Sequence, residues 1–184
     1  MDPGTPQPSL EAIAALGVGT SASIIDVGGA STLVDERLTR GFTDVTVMDL
    51  SQRALDTTAA RLAANPNGGS AVFIRTDFRV WRPDRDFDVW LDRAAYHFLT
   101  DTADPQRYWE LVSGHLRPGG HVIIATCAED GPEMCSGPPV QRHSPEQLMK
   151  AMGVGSTQVS AHREMHTTPY GGQQCFVWVT ARRN

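Results

Sequence analysis

The sequence predicts an α/β protein built on a doubly wound, mostly parallel sheet that ends in an antiparallel hairpin. Three observations carry this. Short apolar runs alternate with helical patterns of about 10–15 residues. The first apolar run passes directly into Gly28-Gly29, and two β-rich runs close the chain around Thr167-Thr-Pro-Tyr-Gly-Gly172. Strands joined by helices of that length pair in parallel through right-handed crossovers. Five such strands and the closing pair make seven, and the 184 residues read as a single domain.

Residues 1–20 form a Pro-rich leader and a short helix, Ser9 to Leu16, with Leu10, Ile13 and Leu16 on one face. Ser21 to Val27 is the first strand. A helix from about Ser31 to Arg40 follows, with Gly41 where a C-terminal cap belongs. Asp44 to Leu50 is the second strand, and Ser51 caps a helix that turns Ala54, Leu55, Ala59 and Leu62 inward. Asn65 to Gly69 is a loop by composition. Ala71 to Arg75 and Phe87 to Leu91 are strands three and four. Asp104-Pro105 opens a helix carrying Tyr108, Leu111, Val112 and Leu116 on one side. Pro118-Gly119-Gly120 ends it, and His121 to Thr126 is strand five. Cys127 to His143 holds too many Gly and Pro residues for regular structure, and loops of that length are usually functional or disordered. Ser144-Pro-Glu-Gln147 is a capping box for a helix to about Met152. Thr157 to Met165 and Gln174 to Ala181 make the terminal hairpin. On this division residues 21–126 build the core and 127–184 supply a loop, a helix and the hairpin.

Composition narrows the function classes. Hydrophobic content is 40%, charged content 20% and mean hydropathy -0.28, as in a globular protein, and no run approaches the roughly 18 apolar residues of a membrane span. A net charge of -5 gives no electrostatic footprint for nucleic acid. Three cysteines, Cys127, Cys135 and Cys175, form neither a disulfide framework nor a C-x-x-C pair. A cytoplasmic location is expected, since the start of the chain lacks the layout of a signal peptide.

The sharpest local signal is Ile24-Ile25-Asp26-Val27-Gly28-Gly29-Ala30-Ser31, a strand, a glycine turn and a helix start. Glycine lets a ligand approach the backbone, and the first N–H groups of a helix are unpaired. Asp49 ends the second strand, where a carboxylate can accept both hydroxyls of a ribose. Together these point to an adenosine-containing ligand. A dinucleotide fingerprint would need glycine at positions occupied here by Ala30 and Leu33, which disfavours NAD.

The pattern beginning at Asp26 resembles the first motif of the class I S-adenosylmethionine-dependent methyltransferases, and the resemblance extends over nearly the whole chain. It implies a Rossmann-like seven-stranded sheet with a cofactor held by Asp26, Gly28, Gly29, Ala30 and Ser31. It further implies Asp49 and Leu50 in VMDLS at the ribose, Asp77-Phe78 in RTDF at the adenine, and Asp92 and Arg93 in FDVWLDR nearby. Leu116-Arg-Pro-Gly-Gly120 before HVIIAT matches the fifth motif. Ala30 and Thr32 stand where that family has glycines. The strand-four segment LDRA lacks the D/N-P-P-Y/F signature of enzymes that methylate exocyclic amines of DNA bases or glutamine. The run Leu91 to Leu99, with Asp130-Gly-Pro132 and Cys135-Ser-Gly137, resembles a group of small bacterial methyltransferases of unassigned substrate.

Methyl transfer from a sulfonium asks the protein to align a nucleophile, exclude water and, where needed, remove a proton. His97 is the general-base candidate because the segment after strand four faces the methyl group in this fold, with Tyr96 beside it as catalytic or packing; the competing role for His97 is to orient a helix or donate to a backbone carbonyl. On the acceptor side stand Cys135, His143, His166 and Tyr170; Cys135 suits a soft substrate such as a thiol or metalloid, and Cys127 and Cys175 read as small buried hydrophobes. The expected acceptor is a small molecule. The alternatives are a protein lysine, a soft-atom acceptor, and a non-catalytic subunit that retains the fold. The pocket is either open or covered by a second subunit as a homodimer, and no metal is implied.

Overall fold

The computed structural model describes residues 7–65, 69–135, 137–167 and 171–184. Its strands are β1 (Ser23–Val27), β2 (Asp44–Asp49), β3 (Val72–Arg75), β4 (Phe87–Arg93), β5 (Leu116–Cys127), β6 (Ser156–Thr167) and β7 (Gln173–Arg183). The helices are α1 (Gln7–Ala15), α2 (Leu33–Thr39), α3 (Gln52–Ala63), α4 (Asp104–His115) and α5 (Pro145–Met152), with a turn of 3-10 helix at Tyr96–Phe98. All seven strands form one sheet of order β3-β2-β1-β4-β5-β7-β6. The first five in that order are parallel, and β7 is antiparallel to both β5 and β6.

Alternation along the central strands sorts their side chains onto two faces. Ile25, Val27, Trp90 and Ile124 pack on one face against Tyr108 and Trp109 of α4 and Leu148 of α5. Ile24, Val89, Leu91 and Ile123 pack on the other against Leu10 and Ile13 of α1 and Leu33 of α2. Val34 and Leu38 of α2 with Leu55 and Leu62 of α3 cover β2. The chain leaves β1 on one side through β2 and β3 and returns on its other side through β4. The carboxyl ends of β1 and β4 therefore border a topological switch point, the crevice where ligands of such sheets bind.

Local chemistry fixes the ends of the helices. The Ser51 hydroxyl accepts from the Ala54 N–H at 3.2 Å, and the Ser144–Gln147 capping box is complete. Gly41, at φ 89°, closes α2 in a Schellman arrangement: its N–H reaches the Leu38 carbonyl and that of Phe42 the Arg37 carbonyl.

Several boundaries differ from expectation. The assigned β5 begins at Leu116, so Pro118-Gly119-Gly120 lies inside it rather than before it. The register with β4 jumps there from Phe87–Leu116 to Val89–His121. Within 128–143 the backbone is more regular than its composition suggests. Met134 and Pro139 form an antiparallel bridge, and Ala128 bridges His143. Finally, β6 is the outer strand, with nearly every residue exposed, and its register with β7 shifts at Val159, between Gln158 and Ser160.

Candidate cofactor and acceptor site

The carboxyl end of β1 turns at Gly28, whose φ of 68° and N–H bond to the Met48 carbonyl at 2.8 Å set the chain back across β2. A Cβ there would lie 3.2 Å from that of Ala95, so a side chain would be both strained and crowded. Asp49 ends β2, where one carboxylate oxygen accepts from the Ser51 N–H at 2.8 Å, leaving acceptor capacity on the other. Thr76 bonds back to the Asp49 carbonyl at 3.2 Å and brings Asp77 and Phe78 alongside. These residues bound a cavity of about 410 Å³ at the switch point. Of the predicted cofactor residues, Gly28, Asp49, Leu50, Asp77 and Phe78 line it. Met48, Thr76, Arg79, Ala94, Phe98 and Leu99 line it as well.

Asp77 is already engaged. Arg79 donates to both of its oxygens, at 2.5–3.0 Å, and that guanidinium holds the carboxyl below its usual range. An exocyclic amine reaching Asp77 therefore shares it with Arg79. Leu50, two-thirds exposed, and Phe78 supply apolar surface suited to a flat base. An unblocked glycine turn, a strand-end carboxylate and an acid beside an aromatic ring fit a nucleoside cofactor.

Other predicted residues lie behind the cavity wall. Asp26 is buried beneath the glycine turn and paired with Arg37 of α2, itself fully buried. A Cβ on Gly29 would overlap the Asp26 carboxyl at 2.1–2.5 Å, so this glycine makes room for a buried acid. Burial outweighs the ion pair and raises the Asp26 pKa. Ala30 and Ser31 continue the turn into α2. Arg37 follows Leu33 and Val34 on the buried stripe of α2, and an arginine at that helical spacing is the sequence cue to its role.

Asp92 does not pair with Arg93, whose charge acts on Asp26 instead. Asp92 is wholly buried and accepts from the Ala95 N–H at 2.9 Å, the Tyr96 N–H at 3.1 Å and the Tyr108 hydroxyl at 2.5 Å. Those bonds hold Ala94 in the left-handed region at φ 66°, setting the cavity wall. Burial pushes the Asp92 carboxyl up to about 6. Tyr108→Phe is expected to cost about 1–3 kcal/mol of stability, read by urea unfolding, because Asp92 loses a buried donor.

Next to this wall lie the acceptor candidates. Tyr96 is buried, its hydroxyl accepting from the Trp109 indole at 2.9 Å and its ring 5.1 Å from that of His143. The His97 ring contacts Phe98, a wall residue, at 4.4 Å and Phe176 of β7 at 6.1 Å, and Phe176 in turn meets His166 at 6.0 Å. His97 and His143 thus flank Cys127. His97 Nδ1 accepts from the Cys127 backbone N–H at 3.4 Å, and the His143 backbone N–H donates to the Cys127 carbonyl at 3.0 Å. Cys135 is buried in the apolar cluster with Leu33, Val140 and Phe176, and Cys127 is buried with its thiol pushed up to about 11. Cys175 is half-buried, its sulfur 3.1 Å from an Arg163 nitrogen. Tyr170 lies outside the described residues.

Comparison with known proteins identifies the family and the fold. The profile of a family described as a methyltransferase domain matches residues 24–120. No curated protein matches the chain significantly. Among solved structures, a SAM-dependent methyltransferase from Methanosarcina mazei is 13% identical, with a TM-score of 0.74, covering 100% of this chain and 99% of that one. The glycopeptide N-methyltransferase MtfA complexed with S-adenosylhomocysteine is 17% identical with a TM-score of 0.73, covering 100% and 92%. The N-methyltransferase NodS from Bradyrhizobium japonicum, also complexed with S-adenosylhomocysteine, is 14% identical with a TM-score of 0.72, covering 96% and 86%. At these identities the shared feature is the fold.

Proposed function

Since the chain belongs to the methyltransferase domain family, we propose that it transfers the methyl group of S-adenosylmethionine to a small-molecule acceptor by in-line displacement. The observation that carries this reading is the switch-point cavity bounded by Gly28, Asp49 and Asp77. When bound, the cofactor supplies an electrophilic methyl on a sulfonium that leaves as a neutral thioether. In this reading the free Asp49 oxygen accepts the ribose hydroxyls, Leu50 and Phe78 cover the base, and Asp77 accepts its exocyclic amine. Asp26 supports the turn from below without touching the ligand. The Asp92 network fixes the Ala94–Tyr96 wall, so the reacting groups meet an aligned rather than a mobile surface. The acceptor side is then built by the 3-10 turn, the 128–143 segment and the start of β7. Three cysteines with no disulfide between them suit a reducing cytoplasm, and no helix among the described residues is long and apolar enough to cross a membrane.

Titration calorimetry with S-adenosylhomocysteine tests the cofactor: saturable heat and thermal stabilisation are expected, and their absence at millimolar ligand, or stabilisation by NADH instead, sinks the reading. Methyl-labelled cofactor in a cell extract tests the acceptor class, with label expected in the solvent-extractable fraction rather than in precipitated protein. Asp49→Ala should weaken S-adenosylhomocysteine binding by about 1.5–3 kcal/mol, roughly 10–150-fold, the worth of a charged hydrogen bond. An unchanged dissociation constant refutes its ribose role.

A further inference from the structure

We infer that His97 presents a fixed Nε2–H donor to the acceptor, and that the acceptor therefore carries a carboxylate or carbonyl oxygen beside its nucleophile. The identity of the acceptor rests on the methyl-transfer reading; the state of His97 does not. A backbone amide can only donate, so the imidazole nitrogen facing the Cys127 N–H must be the unprotonated one. A neutral ring with a bare Nδ1 carries its proton on Nε2. The ring is fully buried, and burial with the nearby His143 lowers its pKa to about 4, which keeps it neutral at physiological pH.

His97 Nε2 is enclosed by protein yet has no hydrogen-bond partner among the described residues. Leaving such a donor unmatched costs free energy, so a site that retains one fits a ligand that supplies the acceptor. Its place favours a substrate role. His97 follows Ala95 and Tyr96 on the 3-10 turn, its ring lies against Phe98 of the cavity wall and Phe176 of β7, and its carbonyl accepts from Gln141 at 2.7 Å. With Nδ1 occupied and Nε2 protonated, His97 has no free lone pair with which to remove a proton. His143 differs, because its Nδ1 faces the Thr126 hydroxyl at 3.3 Å, which can either donate or accept. Where the nucleophile must lose a proton, His143 is the histidine free to take it. His97 holds the oxygen that orients the nucleophile.

Nitrogen-15 NMR on histidine-labelled protein, with His97 assigned by its loss in His97→Gln, reads the tautomer directly. A single Nε2–H form from about pH 5.5 to 8 is expected, with His143 and Cys127 the titratable groups nearest the ring. An Nδ1–H form or an imidazolium overturns the inference even where S-adenosylhomocysteine binds normally. Failure of that cofactor to bind instead overturns the methyl-transfer reading and leaves the tautomer result standing. The acceptor class is probed with benzoate against benzylamine on protein saturated with S-adenosylhomocysteine. Benzoate should shift the His97 Nε2 resonance saturably and benzylamine should not. Gln, whose amide can donate from nearly the same point, should keep benzoate binding, whereas His97→Phe should lose roughly tenfold or more with cofactor affinity unchanged. No saturation with millimolar benzoate, or equal binding by His97→Phe, overturns the oxygen-bearing acceptor.

Discussion

Replacing Arg37 with leucine is expected to cost about 3–5 kcal/mol of folding stability near neutral pH, the cost of removing one partner from a buried ion pair. Asp26 lies at 1% exposure beneath Gly29, and Arg37 is its ion-pair partner. The double variant Asp26→Asn/Arg37→Leu should recover much of the loss, because it removes the stranded charge as well. Equal stability of single and double variants by urea unfolding would refute the pairing. The single variant's deficit should shrink in acid, since the Asp26 pKa is raised by burial and the carboxyl can shed its charge by taking a proton. Cofactor affinity should fall with it, because the glycine turn rests directly on that carboxyl. Arg37, which does not line the cavity, is thus expected to affect cofactor affinity only through Asp26 and the glycine turn above it.

The second large effect is a crossing of two pH dependences. Asp92 rises from 3.8 to about 6 on folding, so between those values the native state binds a proton that the unfolded chain has released. Its contribution therefore falls as pH rises through that window, by about 3 kcal/mol in all. His97 drops from 6.5 to about 4, so there the unfolded chain binds the proton that the native state refuses. Its contribution rises with pH by a similar amount, about 3 kcal/mol. The two slopes oppose each other across nearly the same window. Asp92→Asn should leave stability climbing steeply from about pH 4 to 6, and His97→Gln should leave it descending. Chemical denaturation at several pH values reads both. Parallel profiles for the two variants would show that the groups do not titrate as their burial requires. His143 adds to the rising slope and Asp26 to the falling one, in keeping with their shifts.

Periodicity and turn chemistry read the architecture well. The glycine turn, the Ser51 and Ser144 caps, the Gly41 terminus and the closing hairpin are local signals, because a cap or left-handed glycine acts within a few residues. Part of the cavity wall was legible as well: Gly28 and Asp49 follow from their places at strand ends, whereas Leu50, Asp77 and Phe78 were expected from the motif resemblance, and all five line the cavity. What escaped was formed across the fold. Tyr108 reaches Asp92 from 16 residues away, and Phe98 and Phe176 meet His97 from different elements. Nothing in LDRAAYHFL separates a base from a donor; that distinction waits on the amide of Cys127. Cys135 was assigned by the polarity of its neighbours, Glu133 and Ser136. Yet the bridge between Met134 and Pro139 folds that segment over the apolar cluster and takes the thiol inside.

The outer strand β6 bears on how the protein behaves in a crowded solution. Twelve residues of nearly continuous exposed edge, with Val159 and Met165 uncovered, offer a template on which another chain could add a strand. The one-residue slip at Val159 breaks the ladder, and Arg163 and Glu164 place charge on the same edge, tied to Asp130 and Trp178. A single extra residue thus serves as colloidal protection, at the far end of the sheet from the β3-side margin of the nucleotide crevice.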